Sequence, residues 1–456
     1  MATNTKLGGV FTTDIDGQRT SNVFLSTENV VGLIVDTSIV GGLSKAFEED
    51  SVASQFFANG NVVELNTSKD IAELGIDDTV MGGLVKYHLE CFFSLAGGTR
   101  RFFLSFMDSD KDPEFEAIEK MQLASSGIIY QIGVWTGKPL AKKNTDGSYS
   151  VEPGNICSKL QSEAEILGGT VGITNYEGNA PLNILLSAPI LNEASIDYKK
   201  LPDLSEMNMP KVTVLLGQGA SDTVHELMYN INHLGETPTY AQVGCLGAAL
   251  GCLAVAPANE SIAHVASFNL AAVIQDAELG FGELTDNDGN DGYASEASFT
   301  NIKTMGYTKR DTFLHQKGYV FLMNYDGLEN SIFFSSDQTL SKGDYRSLAR
   351  CRVMHKSRRV VRRALLPKVN SNVEVDASTG YLSASAVAEF QNIVIEALDA
   401  NMVEPGTSKP QISGRTCTID SEQNVLDTDA IDISYSLVPL GIAGAINVTE
   451  GFVNSI

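Results

Sequence analysis

The apolar positions along this chain change their period several times, and each change predicts a change of element. Val30 to Val35 (Val-Val-Gly-Leu-Ile-Val) is an unbroken apolar run with the length of a fully buried strand, and Val62 to Leu65 is a shorter one. From Met81 onward, Leu84, Tyr87, His88, Cys91 and Phe92 recur at helical spacing until Gly97-Gly98 stops the helix. Arg101 to Phe106 then reads as strand. The same reasoning predicts a helix over Glu114 to Ser125, a strand over Ile128 to Val134, a helix over Cys157 to Leu167 and a strand over Leu182 to Leu186. Val212 to Leu216 is a strand that feeds a helix from Asp222 to Leu234. Strands alternating with helices at this spacing point to a mixed α/β fold with a partly parallel sheet.

The second half is patterned differently. Ala241 to Ala258 is the longest apolar stretch, interrupted by Gln242, Gly244, Cys245, Gly247, Gly251 and Cys252. It ends at Pro257, short of the roughly 20 residues a membrane span needs, so a buried helix packed through small residues is expected and membrane insertion is not. Leu279 to Arg310 is polar and Gly/Asp-rich, the pattern of a long loop or surface hairpin. Gly318 to Tyr325 and Asn330 to Phe334 read as strands, and Ser383 to Ala400 as an amphipathic helix. The end alternates as β, with Ile431, Ile433, Tyr435 and Leu437, then Ile446 and Val448. The first twenty or so residues are polar around one apolar cluster, Val10-Phe11, and read as an arm. No internal repeat is visible.

Charge sharpens one segment. The chain has 456 residues, which suggests about two to four domains, and a net charge of −24. A pI near 4.6 argues against general affinity for nucleic acid or anionic membranes. Yet Arg346 to Lys368 holds nine of the 32 Lys and Arg residues and no acid. Wound as a helix at about 100° per residue, Arg352, Lys356, Arg359 and Arg363 fall in one stripe. Ala349, Val353, Val360, Val361 and Ala364 form the adjoining apolar face, and Pro367 ends the pattern. The helix is expected to pack on its own domain and point the stripe outward. A solvated basic face is the plain reading; a docking rail for an acidic partner is the sharper one.

Candidate chemistry is thin. Gly217-Gln-Gly219 after a strand suggests a phosphate turn, but Asp222 stands where the fingerprint wants Gly and its carboxylate opposes a pyrophosphate. A plain turn capped by Ser221 or Asp222 is the better reading. Asp286, Asp288 and Asn290 resemble the start of a calcium loop, but Asp291 and Ala297 occupy the positions of its Gly and bidentate Glu. His225 and His233 are eight apart, without partners for zinc, and His88 with Cys91 lacks a third member. No serine sits in a Gly-x-Ser-x-Gly setting. Six cysteines without a CxxC read as core thiols suited to a reducing cytoplasm. The sequons at Asn66, Asn259 and Asn447 then read as chance matches. The opening lacks the apolar core of a secretory signal, so none is expected. No enzyme, cofactor or metal is expected.

Taken in order, several segments resemble contractile tail sheath proteins. The helix from Leu84 ending in Phe92-Phe93, then Ala96-Gly97-Gly98 and an aromatic strand, is one. The small-residue helix closed by Ala256-Pro257-Ala258-Asn259, followed by Ile262 and Val265, is a second. The Arg-rich helix, Asn370, the helix Ser383 to Ala400 and a final strand with Val438-Pro439-Leu440 make a third. Gly8-Gly9-Val10 also resembles the sheath start, without the Pro usual before Gly-Val, which implies a divergent branch. Residues 140 to 180 and 270 to 315 are unmatched.

The resemblance implies a multi-domain sheath protomer. Its parts would be an N-terminal arm (1–22), an α/β central region (23–330, with an inserted outer subdomain at about 136–310), a C-terminal helix-plus-strand domain (331–430) and a C-terminal strand arm (431–456). Such subunits stack as hexameric rings around an inner tube and contract to drive it through a target envelope. The implied setting is a virion tail or an injection particle assembled in the cytoplasm. Implied partners are the chain itself, the tube protein, and baseplate and terminator proteins. Val10, Phe11, Ile431, Ile433, Tyr435 and Leu437 would pair with neighbouring subunits, and Arg352, Lys356, Arg359 and Arg363 would face the tube. The alternatives are a nucleic-acid-binding protein using the basic stripe, and an α/β nucleotide-dependent enzyme using the Gly217 turn.

Overall fold

The computed structural model describes residues 29–37, 62–76, 80–168, 182–192, 196–216, 218–219, 244–274, 280–281, 284–285, 300–301, 307–325, 327–328, 331–405 and 409–446. Val10 and Phe11, Gly217, Ser221, Asp222, His225, His233, the acidic segment Asp286 to Asp291, Ala297 and Val448 lie outside them. The central sheet is built from β1 (Val31–Asp36), β2 (Val63–Leu65), β3 (Phe102–Met107), β4 (Gln131–Trp135), β5 (Asn183–Ser187), β6 (Val212–Leu215) and β7 (Tyr319–Val320). Its order is β7-β6-β5-β4-β1-β3-β2, parallel throughout except for the antiparallel edge strand β2. Strands covered on both faces need apolar residues at every position, which is why the sequence shows runs here rather than alternation.

Four helices make those covers: α1 (Val80–Ala96), α2 (Ala117–Ala124), α3 (Ile156–Gly168) and α4 (Leu246–Val255). Register places Val31, Phe102 and Gln131 on one side of the sheet, with Leu33, Leu104 and Gly133 two residues on. That side meets α1, where Phe92 stacks 4.5 Å from Phe102, and α4, whose Leu250 and Leu246 press on Gly133. On the other side, Met121 of α2 fills the space above Gly32. α4 also runs against α1 so closely that a Cβ at Gly247 would stand 1.9 Å from the His88 carbonyl oxygen, and one at Gly251 2.9 Å from Leu95. The small-residue pattern of this segment thus has a cause: only glycine permits the two helix backbones to touch. Cys91, Cys157, Cys245, Cys252, Cys351 and Cys417 are all buried, and none is in a disulfide.

The C-terminal unit is built on α5 (Leu348–Leu365), α6 (Ala384–Leu398) and a hairpin of β8 (Ile412–Ile419) and β9 (Ile433–Pro439). Ser347 caps α5 by accepting from Arg350 N, and Ser383 caps α6 by accepting from Ala386 N. Val353, Val360 and Val361 of α5, Val394 and Leu398 of α6, Met402, Ile412, Cys417 and Tyr435 close a second core.

Several expectations need correction. The apolar run Gly318 to Tyr325 is two strands, since after β7 the chain turns to pair Leu322–Met323 with Phe333–Phe334. The range 136–310 is no inserted subdomain, because β5, β6 and α4 within it are integral to the central sheet and its cover. Gln218–Gly219 pairs antiparallel with Gly280–Phe281, and the expected helix from Asp222 to Leu234 lies outside the described residues. The alternating end from Ile433 is no free strand arm. β9 pairs with β8 of its own chain, Tyr435 opposite Cys417, and its inward residues serve the protomer's own core.

Candidate functional site: the basic helix and the C-terminal hairpin

α5 has two working faces. The valine face found in the sequence packs on α6 and the hairpin. A second face, carrying Leu348, Cys351, Arg352, His355 and Arg358, is also buried, and it packs on the central domain. Arg352 is the sharpest case. It is 3% exposed, and its guanidinium donates to the carbonyls of Leu253 (3.1 Å), Ala256 (2.7 Å) and Pro257 (3.2 Å). Leu253 O and Ala256 O are orphan acceptors at the C-terminus of α4, where the helix dipole also favours a cation, and Pro257 O just beyond it also accepts from Glu260 N at 3.0 Å. Arg358 does the same at the end of α3, donating to Gly168 O at 3.2 Å, and desolvation lowers its pKa to about 10.

The expected outward stripe is therefore split. Arg352 has turned inward, because a planar fork of donors on a long stem can satisfy three carbonyls at once. Arg359 is half-buried, its guanidinium 4.1 Å above the Tyr130 ring. Lys356 is half-buried, and only Arg363 is fully at the surface. The missed signal was Arg358 and His355, which the helical wheel puts on the Arg352 side. Their burial was illegible because their partners are backbone carbonyls and a lysine distant in sequence. A phosphate backbone cannot reach the buried Arg352, which removes one of the four stripe residues that a nucleic-acid reading needs.

On the hairpin, Tyr435 is buried, Ile431, Ile433 and Leu437 are half-buried, and the residues between them are exposed. The hairpin has only two strands, so each keeps one backbone edge with no strand beside it among the described residues. Past β9, residues 441–446 are exposed throughout, including Ile442 and Ile446, the latter 80%.

The remaining candidates resolve as structure. His88 is fully buried in the α1–α4 seam, accepts from Gly247 N through Nδ1 at 3.3 Å and lies edge-on to Trp135. Desolvation pushes its pKa down to about 4, and burial pushes the Cys91 thiol far up, so neither suits nucleophilic chemistry at neutral pH. Asp36 ends β1 between β3 and β4, the switch point where open α/β sheets hold ligands. Here its buried carboxylate accepts from Ser109 N (3.0 Å) and Thr136 Oγ1 (2.5 Å), so it ties the segments after β3 and β4 to the end of β1. On the surface, Ser267 and Glu260 contact the same Nδ1 of His264, at 2.9 and 2.5 Å, an arrangement that cannot relay a proton. Among the described residues, no three His, Cys, Asp or Glu groups cluster as a metal site, and no helix is long and apolar enough to cross a membrane.

Residues 344–456 match the family described as DUF2586, C-terminal domain. No curated protein matches the sequence. Among solved structures, the PVC sheath complex of an extracellular contractile injection system, determined by cryo-electron microscopy in the contracted state, is similar over 100% of this chain and 99% of that chain. The TM-score is 0.53 and the identity 12%. The chain is thus a divergent protein with the fold of a contractile sheath subunit.

Proposed function

We propose that this chain is a structural sheath subunit of a contractile tail or injection particle. In this reading it polymerises as stacked hexameric rings around an inner tube, and contraction drives the tube through a target envelope. The observation that carries the reading is the end-to-end likeness of fold to a contractile injection sheath, with neither chain left over. The hairpin supports self-assembly. Its open edges are templates for an added strand, which the exposed segment after Pro439 or the N-terminal arm with Val10 and Phe11 of a neighbour would supply in this reading. Ile433, Tyr435 and Leu437 then act as the acceptor platform rather than as the donated strand.

The tube contact narrows to the distal part of α5, where Lys356, Arg359 and Arg363 retain surface, while Arg352 is the internal anchor of the same helix. Contraction would release free energy stored in subunit packing and needs no nucleotide. Further partners are the baseplate and terminator proteins, and the place of action is a virion tail or an injection particle. The test is negative-stain electron microscopy of the purified chain, alone and co-produced with its tube protein. Rings or tubes of uniform width are expected. Dispersed monomers under both conditions would overturn the reading.

A further inference from the structure

Lys211 and His355 meet across the seam between the central sheet and α5. Lys211 immediately precedes β6, and its backbone is fixed by donation from its N–H to Gln161 Oε1 (2.8 Å) and by its carbonyl accepting from Ile184 N (2.7 Å). Its side chain is buried, with Nζ 3.1 Å from His355 Nε2 and 5.7 Å from the Tyr345 ring centroid. His355 is 1% exposed in the middle of α5. An ammonium has only donors, so Nε2 must accept and the imidazole proton sits on Nδ1.

We propose that this pair is an acid-sensitive latch: a proton on Nε2 removes the acceptor and sets a second cation against Lys211, so α5 parts from the central sheet in a step that takes up one proton. The surroundings favour this. Arg352 and Arg359 on α5 face the imidazole together with Lys211, and desolvation and these cations hold His355 well below its ordinary value of 6.5. Burial lowers the Lys211 value, and Cys351 on α5 and Glu165 on α3, which face the ammonium, act against that. Asp337, which accepts from Ala349 N at 3.0 Å and faces Arg352, is shifted upward by burial and titrates in the opposite sense.

The sign follows. With the folded value depressed, the His355 contribution to the seam is intact above pH 6.5 and is lost as pH falls toward the folded value. Each pH unit in that window should raise the opening constant of α5 by about tenfold.

The experiment is hydrogen-exchange mass spectrometry of the full chain and of His355→Gln from pH 7 to pH 4. Wild-type exchange is divided by that of the variant for peptides in Leu348–Leu365 and, as reference, in α1. The division cancels intrinsic exchange chemistry and the titrations of Asp337 and His88, present in both proteins. The ratio for α5 should climb steeply below pH 6.5 while that for α1 stays level. A flat α5 ratio, or an equal climb in α1, overturns the latch. If His355→Gln does not fold, Lys211→Met takes its place. Removing the ammonium raises the folded value of His355, so α5 opening should level off at a higher pH than in wild type, and an unchanged curve overturns the proposal.

Discussion

The central sheet and the C-terminal unit are held together by different physics. The sheet is seven strands, all but the edge strand β2 buried on both faces, covered by helices that touch backbone to backbone at Gly247. The C-terminal unit has two helices, a two-stranded hairpin whose outward positions are exposed, and a small core of its own. Its attachment relies on arginines reaching the carbonyl ends of α3 and α4. A non-directional core tolerates a shift of one side chain, whereas a guanidinium aimed at three carbonyls does not. The first region holds its shape by burial, the second by aim.

The contrast can be broken most violently at the α1–α4 contact. Gly247→Ala puts a methyl group into the His88 carbonyl and should cost about 4 kcal/mol or more, or prevent folding, because backbone cannot give way as a side chain can. Urea denaturation followed by circular dichroism checks this. The counterpart in the seam is Arg352→Met, which takes the guanidinium from three carbonyls, leaving Leu253 O and Ala256 O without a donor while Pro257 O keeps Glu260 N, and should cost about 3 kcal/mol. Hydrogen exchange should quicken in α5 and not in β1, β3 or β4; uniform quickening would mean that the two regions are one cooperative unit. Arg352→Lys should restore only part of the loss, since a point charge cannot replace the fork.

Acid gives a finer comparison. His88 is held neutral to about pH 4, so the unfolded chain binds a proton that the folded one refuses. Its contribution is intact above pH 6.5 and lost on acidification, amounting to about 2 kcal/mol at pH 5. In His88→Asn the amide oxygen can still accept from Gly247 N, and the plot of unfolding free energy against pH should flatten by that amount. The smallest effects on stability belong to the surface. Arg363→Glu, or truncation after Pro439, should change stability by less than about 0.5 kcal/mol. Under the sheath reading, the first should abolish tube-filled assemblies and the second all polymer, as judged by electron microscopy.

Much of the sheet was legible because strands buried on both faces have no choice but to be apolar. Val30 to Val35 and Val212 to Leu216 lie within one residue of β1 and β6. The helix from Ser383 was legible through its amphipathic period, and the buried helix through its small residues. What an apolar run lacks is register, so nothing in Gly318 to Tyr325 announced that Tyr319–Val320 and Leu322–Met323 join different sheets. The inward turn of Arg352 was hidden for a related reason. Its partners are carbonyl oxygens, which every residue has, at the end of a helix some ninety-five positions earlier. The partner of β9 was hidden too, since alternation states that a strand has one buried face and not which strand lies beside it.

Arg352 and Arg358 are six residues apart on α5, hence about 9 Å apart along its axis. A rod pinned at one point can swivel, but one pinned at two cannot, and these two pins enter different helices, α4 and α3. Torque applied through the hairpin therefore reaches the central sheet without slack, loading both guanidinium contacts together instead of peeling them off in turn.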